Sequence, residues 1–231
     1  MVSDEKRRRP GAGTDENGAD ESGADTSAGA VSEALRRIRA RLADLPEGEG
    51  NRYWLRSESD DERFAYISAN KQLIVAAAEH CGLSPEMLAG IAWQEIGGAP
   101  RVVDDIAYEV RKVLPGSDDP DKTSMGPLAV QVRRAAEVLG YDPGNLAGEQ
   151  RRAVVEAVRE PRQNIFIAAA YLAHEKAATE YADVPPERMT RAQMRDLAAR
   201  YNGGPYYRVE AAQAYARAFA GNVDRAVEAL R

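Results

Sequence analysis

Large apolar side chains are almost absent at the start of the chain and then recur with helical spacing. Residues 1–30 are Gly, Ala, Ser, Asp and Glu with hardly a bulky hydrophobic group. Such a composition cannot offset the entropy of ordering a chain, which predicts a disordered tail. Val31, Leu35, Ile38, Leu42 and Leu45 then recur at alternating intervals of four and three, with arginines on the other faces. That is one amphipathic helix. It is short for a coiled coil and is expected to dock on the main domain or on a partner. Pro46-Glu47-Gly48-Glu49-Gly50 breaks it. The chain thus divides into a tail over 1–30, a short helix and linker over 31–50, and a helical domain over 51–231.

Within that domain the pattern predicts a helix over Phe64–Cys81 that stops at Gly82. Ser84, followed by Pro85 and Glu86, is an N-cap signal and opens a helix that runs to Glu95 and stops at Gly97-Gly98. Further helices are predicted over Val102–Leu114, Gly126–Leu139, Glu149–Arg159, Arg162–Ala177, Arg191–Tyr201, Tyr207–Ala220 and Val223–Leu230, with a polar Asp-rich loop over Pro115–Lys122. Alternation typical of strands is lacking, and at most a short hairpin fits between Ala99 and Ser124. The predicted fold class is mainly α. Tyr53 and Trp54 precede the domain and are expected to anchor the linker against it.

With 231 residues, 44% of them hydrophobic, the chain can bury one core. A net charge of −6 and a pI near 5.2 argue against nucleic acid as a partner, because phosphate binding wants a basic face. The segment Met189–Arg200 resembles a helix-turn-helix unit but carries no basic stripe. Cys81 is the one cysteine, so no internal disulfide forms, and it reads as a small filler at a helix end. His80 and His174 lack paired ligand spacing, so neither a metal nor another cofactor is expected. No apolar run follows the basic Lys6-Arg7-Arg8-Arg9, and none is long enough to span a bilayer. The expectation is a protein that is cytoplasmic as synthesised or exported by a non-classical route.

Glu95 is the candidate for chemistry. Ala92, Ile91 and Leu88 lie three, four and seven positions before it, so the acid shares the face that should be buried. A carboxylate there is costly unless the site uses it, and burial raises a carboxyl pKa toward what a general acid needs near neutral pH. As an isolated feature it reads more readily as a helix-terminal acid paired with an arginine; the ordered segments that follow turn the balance toward catalysis.

Three segments follow one another in order: Leu83-Ser84-Pro85-Glu86 through Trp93-Gln94-Glu95; Thr123-Ser124-Met125-Gly126-Pro127-Leu128-Ala129-Val130-Gln131-Val132; and Ala199-Arg200-Tyr201-Asn202-Gly203-Gly204-Pro205. Glu160-Pro161-Arg162-Gln163-Asn164-Ile165 stands before the third. Together they resemble the lytic transglycosylase and goose-type lysozyme superfamily, over roughly Leu83 to Pro205. The resemblance implies a lysozyme-like helical domain that cleaves the β-1,4 bond between N-acetylmuramic acid and N-acetylglucosamine in peptidoglycan. It implies that Glu95 is the general acid and then base, and that Tyr201 hydrogen-bonds or orients it. Asn202 would hold the turn, Gly203 and Gly204 would let backbone approach sugar, and Ser124 and Gly126 would line the groove floor. The family's cleft glutamine falls on Gln131 in one register and on Ala129 in another, and the residue after the catalytic Glu, usually Ser, is Ile96.

Hydrolysis needs a second carboxylate, whereas a transglycosylase works with one. Candidates are Asp104, Asp105, Asp118, Asp119 and Asp121; Asp121, just before the Ser124 segment, is the best placed, although the Asp118–Asp121 stretch also reads as a solvated loop. Tyr206 and Tyr207 either stack on sugar or cap the last helices, while Trp93 and Tyr171 read as core. The expected partner is the peptidoglycan glycan strand, with residues 1–45 serving a delivery machine or another partner if the protein is a delivered effector or lysis protein. The alternative is a lysozyme-like binding or scaffold protein without catalysis.

Overall fold

The structure, a computed structural model, describes residues 31–47, 59–96 and 120–231. The readings made for residues 1–30, for Tyr53 and Trp54, for Gly97-Gly98, for a helix over Val102–Leu114 and for Asp104, Asp105, Asp118 and Asp119 lie outside the described residues. The described part is mainly helical. It comprises α1 (Glu33–Ala43), α2 (Asp60–Ala69), α3 (Lys71–His80), α4 (Pro85–Glu95), a 3-10 turn at Pro120–Lys122, β1 (Ser124–Met125) and β2 (Val130–Gln131). There follow α5 (Val132–Val138), α6 (Gly148–Arg159), α7 (Pro161–Ala177), a 3-10 turn at Pro186–Arg188, α8 (Arg191–Gly203), a 3-10 turn at Gly204–Tyr206 and α9 (Glu210–Ala229).

Two helices organise the rest. The 17-residue α7 touches α1, α3, α5, α6 and α8, and it is buried around most of its circumference from Asn164 to Ala169. Glu160 caps it by accepting from the amides of Arg162 and Gln163, with Pro161 in the first turn where no amide donor is needed. The 20-residue α9 packs along α4 and α8. Its approach to α4 requires Gly90: a Cβ there would fall 2.4 Å from Cε2 of Phe219.

The amphipathic segment docks on the domain itself. Leu35, Ile38 and Leu42 of α1 are buried in the common core, and the helix rests on α7. Both ends are pinned by hydrogen bonds. The Ser32 amide donates to the Tyr141 hydroxyl at 2.7 Å, and Nη2 of Arg162 donates to the carbonyls of Leu42 and Leu45 at 2.6 and 2.8 Å.

Three boundaries differ from the sequence reading. The helix expected over Phe64–Cys81 begins earlier, at Asp60 behind the Ser59 cap, and is split at Asn70, whose side-chain amide takes the Tyr66 carbonyl at 2.9 Å. The last two expected helices are one, starting at Glu210 rather than Tyr207. Gly221 does not interrupt it, because the buried series Ala212, Ala216, Phe219, Val223, Ala226 continues across it, and tertiary packing outweighs the cost of about 1 kcal/mol for a helical glycine. The helix expected over Gly126–Leu139 is instead a hairpin followed by α5 at Val132. Ser124 pairs with Gln131 and Met125 with Val130, antiparallel. This hairpin begins at Ser124, and residues 99–119, where at most a short hairpin is expected, lie outside the described residues.

The physical reason for that hairpin is Asn164. Its Oδ1 accepts from the Leu128 amide at 2.9 Å, and its Nδ2 donates to the carbonyls of Met125 and Val158 at 3.1 and 3.0 Å. Gly126 gives it room: φ is +83°, and a Cβ would meet Asn164 Nδ2 at 2.0 Å. Ala129 closes the turn with φ of +46°, an uncommon left-handed conformation for a residue with a side chain.

Candidate active site

Glu95 is the last residue of α4, whose inner face carries Leu88, Ile91 and Ala92 into the core. The carboxyl group is half-buried in surface terms but closely surrounded, and this burial pushes its pKa up to about 7. Two neighbours work in the opposite direction. Tyr215 of α9 donates its hydroxyl to Oε1 at 2.7 Å, and the positive charge of Arg134 on α5 favours the ionised form.

Tyr201, expected to orient Glu95, gives its hydroxyl to the Leu128 carbonyl at 2.5 Å. It therefore ties α8 to the hairpin loop, and the residue that holds Glu95 is Tyr215. Tyr201 remains close enough to feel the acid: burial first, and then the Glu95 charge, raise its pKa well above the ordinary phenol value. The same two causes, in the same order, raise that of Tyr215. Arg134 links these groups, with Nη1 donating to the Tyr201 carbonyl at 2.7 Å and the guanidinium lying 4.9 Å from the centre of the Tyr171 ring. Tyr171 packs on Tyr201 with ring centres 5.4 Å apart.

The structure thus joins one acid, a hydroxyl that donates to it, a nearby cation and the Leu128 loop. Neither Tyr215 nor Arg134 was singled out in the sequence. Tyr215 interrupts an otherwise small-residue stretch, Ala211-Ala212-Gln213-Ala214-Tyr215-Ala216, which is the one signal that marks it. Arg134 follows Arg133 with nothing to distinguish it.

The other expected site residues are placed as follows. Asp121 is buried rather than solvated, and its carboxylate forms a bidentate pair with Arg151, Nη2 to Oδ2 at 2.8 Å and Nε to Oδ1 at 3.0 Å. Its oxygens are committed to that structural pair. Ser124 and Gln131 face each other across the hairpin, half-buried, and Gln131 Oε1 accepts from Arg133 Nε at 3.1 Å. Gly126 is buried against Asn164 and the Val158 carbonyl. Asn202 is exposed at the end of α8. Gly203 serves helix packing, since a Cβ there would sit 2.9 Å from that of Ala212. Tyr206 is 70% exposed. Ile96 turns into the core, and its carbonyl accepts from Arg63 Nε at 3.1 Å. Trp93 and Tyr171 are core residues. Cys81 is half-buried, and burial pushes its thiol up to about 11. Among the described residues no cluster of His, Cys, Asp and Glu is arranged to hold a metal, and no helix is long and apolar enough to cross a membrane.

Comparison of the chain with protein-family models and with curated proteins gave no match.

Proposed function

We propose that the protein is a peptidoglycan-cleaving glycosidase of lysozyme-like type, with Glu95 as its general acid and base. The observation that carries the reading is the Glu95 carboxyl itself, pushed up to about 7 by burial and held by the Tyr215 hydroxyl. At that pKa a large fraction of the group keeps its proton near neutrality and has somewhere to send it. The carboxyl gives its proton to the glycosidic oxygen as the C1–O bond breaks, and the sugar cation that develops is met by a nucleophile. Glu95, now a carboxylate, takes the proton of that nucleophile and is regenerated.

Among the described residues Glu95 is the one acid at this site, which favours the transglycosylase outcome, in which the sugar's own hydroxyl closes an anhydro ring. The charge acting on Glu95 is that of Arg134, and Asp121 is held by Arg151. The motifs of the resemblance support the same reading, since Glu95, Tyr201 and the Ser124–Gln131 segment converge through Leu128 and Arg134. Ile96 in place of serine does not weigh against it, because that side chain is wholly in the core.

Digestion of purified peptidoglycan by the wild type and by Glu95→Gln, with products read by mass spectrometry, tests the proposal. Anhydro-muropeptides from the wild type alone are expected. Reducing ends would move the assignment to a hydrolase. No release by the wild type would leave a lysozyme-like binding or scaffold protein.

A further inference from the structure

A cavity of about 700 Å³ opens between the C-terminal end of α7, a face of α8 and the start of α9. Its volume lies within the range of small-ligand sites. Gln193, Asp196 and Arg200 of α8 line it, with Tyr207, Arg208 and Gln213 opposite. Tyr201 is not part of this lining; its hydroxyl is turned to Leu128. The cavity is therefore a different place from the surroundings of Glu95, joined to them through the Gly203–Tyr206 segment that leads directly into Tyr207.

The polar groups here have an uneven balance. Asp196 is satisfied: its Oδ2 accepts from the Tyr181 hydroxyl at 2.7 Å and from Arg200 Nε at 2.8 Å. The Arg200 guanidinium lies over Tyr207, 4.0 Å from the ring centre. Arg208, on the same ring at 5.3 Å, uses Nε to donate to the Tyr207 hydroxyl at 3.1 Å. Among the described residues no carboxylate lies within ion-pair distance of Arg208, and the residue is exposed. Its two terminal nitrogens form the fork that a carboxylate fits. Gln213 donates its amide to the Tyr207 carbonyl at 2.8 Å and keeps its Oε1 for an incoming N–H. Glu180, exposed at the rim, supplies the opposite charge.

A cationic fork, an amide acceptor and a rim carboxylate suit a short peptide that carries both a free carboxylate and an amine. We propose that this cavity binds the peptide branch of the polymer whose glycan chain Glu95 cuts, with Arg208 gripping a branch carboxylate. The inference rests on the peptidoglycan reading above for the identity of the peptide.

Calorimetric titration of the full-length protein with stem peptide freed from its glycan by an amidase is the test. Saturable binding to the wild type is expected, with a loss of about tenfold or more in Arg208→Glu at unchanged thermal stability. No saturable binding, equal binding by the variant, or competition by glycan stripped of its peptides would overturn the inference. Binding needs no turnover, so the two proposals fail separately. Glycan cleavage without peptide binding removes this inference alone, and peptide binding without cleavage removes the glycosidase alone.

Discussion

Tyr215 and Glu95 are 120 residues apart in the chain, and the hydroxyl of one stands 2.7 Å from Oε1 of the other. The contact crosses from α9 to the end of α4, the two helices that Gly90 allows to approach closely. It makes the C-terminal helix part of the candidate active site.

Replacing Tyr215 by Phe removes a hydrogen bond that favours ionised Glu95. The Glu95 pKa should rise above about 7, by on the order of one unit. A carbon-13 NMR titration of labelled glutamate side chains measures it directly. An unchanged or lowered pKa in Tyr215→Phe would show that the hydroxyl does not act on the charge.

The raised pKa of Glu95 also sets the sign of a stability effect. Between the ordinary value of 4.5 and the folded value of about 7 the native protein holds a proton that the unfolded chain has released. Stability attributable to this group is therefore fully present below 4.5 and is lost as pH rises to about 7. Glu95→Gln, which cannot ionise, should match the wild type at acid pH. Above neutrality it should be more stable, by on the order of 1–3 kcal/mol. Urea unfolding of both proteins across that range is the measurement, and a constant difference would contradict the assignment.

Asp121→Asn separates a structural acid from a catalytic one. Loss of the bidentate pair with Arg151 should cost about 1–3 kcal/mol, Arg151 being part-exposed, while the folded variant should keep the proposed turnover on peptidoglycan. Turnover abolished at wild-type stability would give Asp121 a role in the chemistry instead.

Truncation should divide residues 1–45 into two parts. A protein starting at residue 31 loses none of the described contacts. A protein starting at residue 46 loses Leu35, Ile38 and Leu42 from the core and should be destabilised by several kcal/mol, at about 1.5–3 kcal/mol for each fully buried side chain. Equal thermal midpoints for the two truncations would mean that α1 contributes nothing to the fold. Within the 1–45 segment expected to serve delivery, Glu33–Ala43 packs on the domain, and residues 1–30 lie outside the described residues.

What was legible in the sequence follows from what a local pattern encodes. The period of buried positions reports a helix, so Glu33–Ala43, Pro85–Glu95 and Gly148–Arg159 were readable within a residue or two. Glu95 stood out because a charge on an apolar stripe is a local contradiction. The hairpin at Ser124–Gln131 has no local signature because its cause, the amide of Asn164, lies 33 residues further on than Gln131. Tyr215 is silent in the sequence for the same kind of reason: pairing α9 with α4 depends on Phe219 meeting Gly90, a fit that neither segment announces alone. Asp121 looked solvated because aspartates crowd its neighbourhood, and its partner Arg151 sits on a different helix.

Asn164 has a consequence for how the molecule opens. One side-chain amide fastens the Leu128 loop, the Met125 strand and the end of α6 to the buried α7. The Leu128 N–H therefore cannot meet solvent through a local flap of the loop without leaving the Asn164 oxygen stranded in the interior. In native-state hydrogen exchange that amide should behave as one of the slowest in the protein, exchanging together with the middle of α7. The hairpin is then part of the slowest-opening cooperative unit, and the Tyr201 hydroxyl that rests on it inherits the same rigidity.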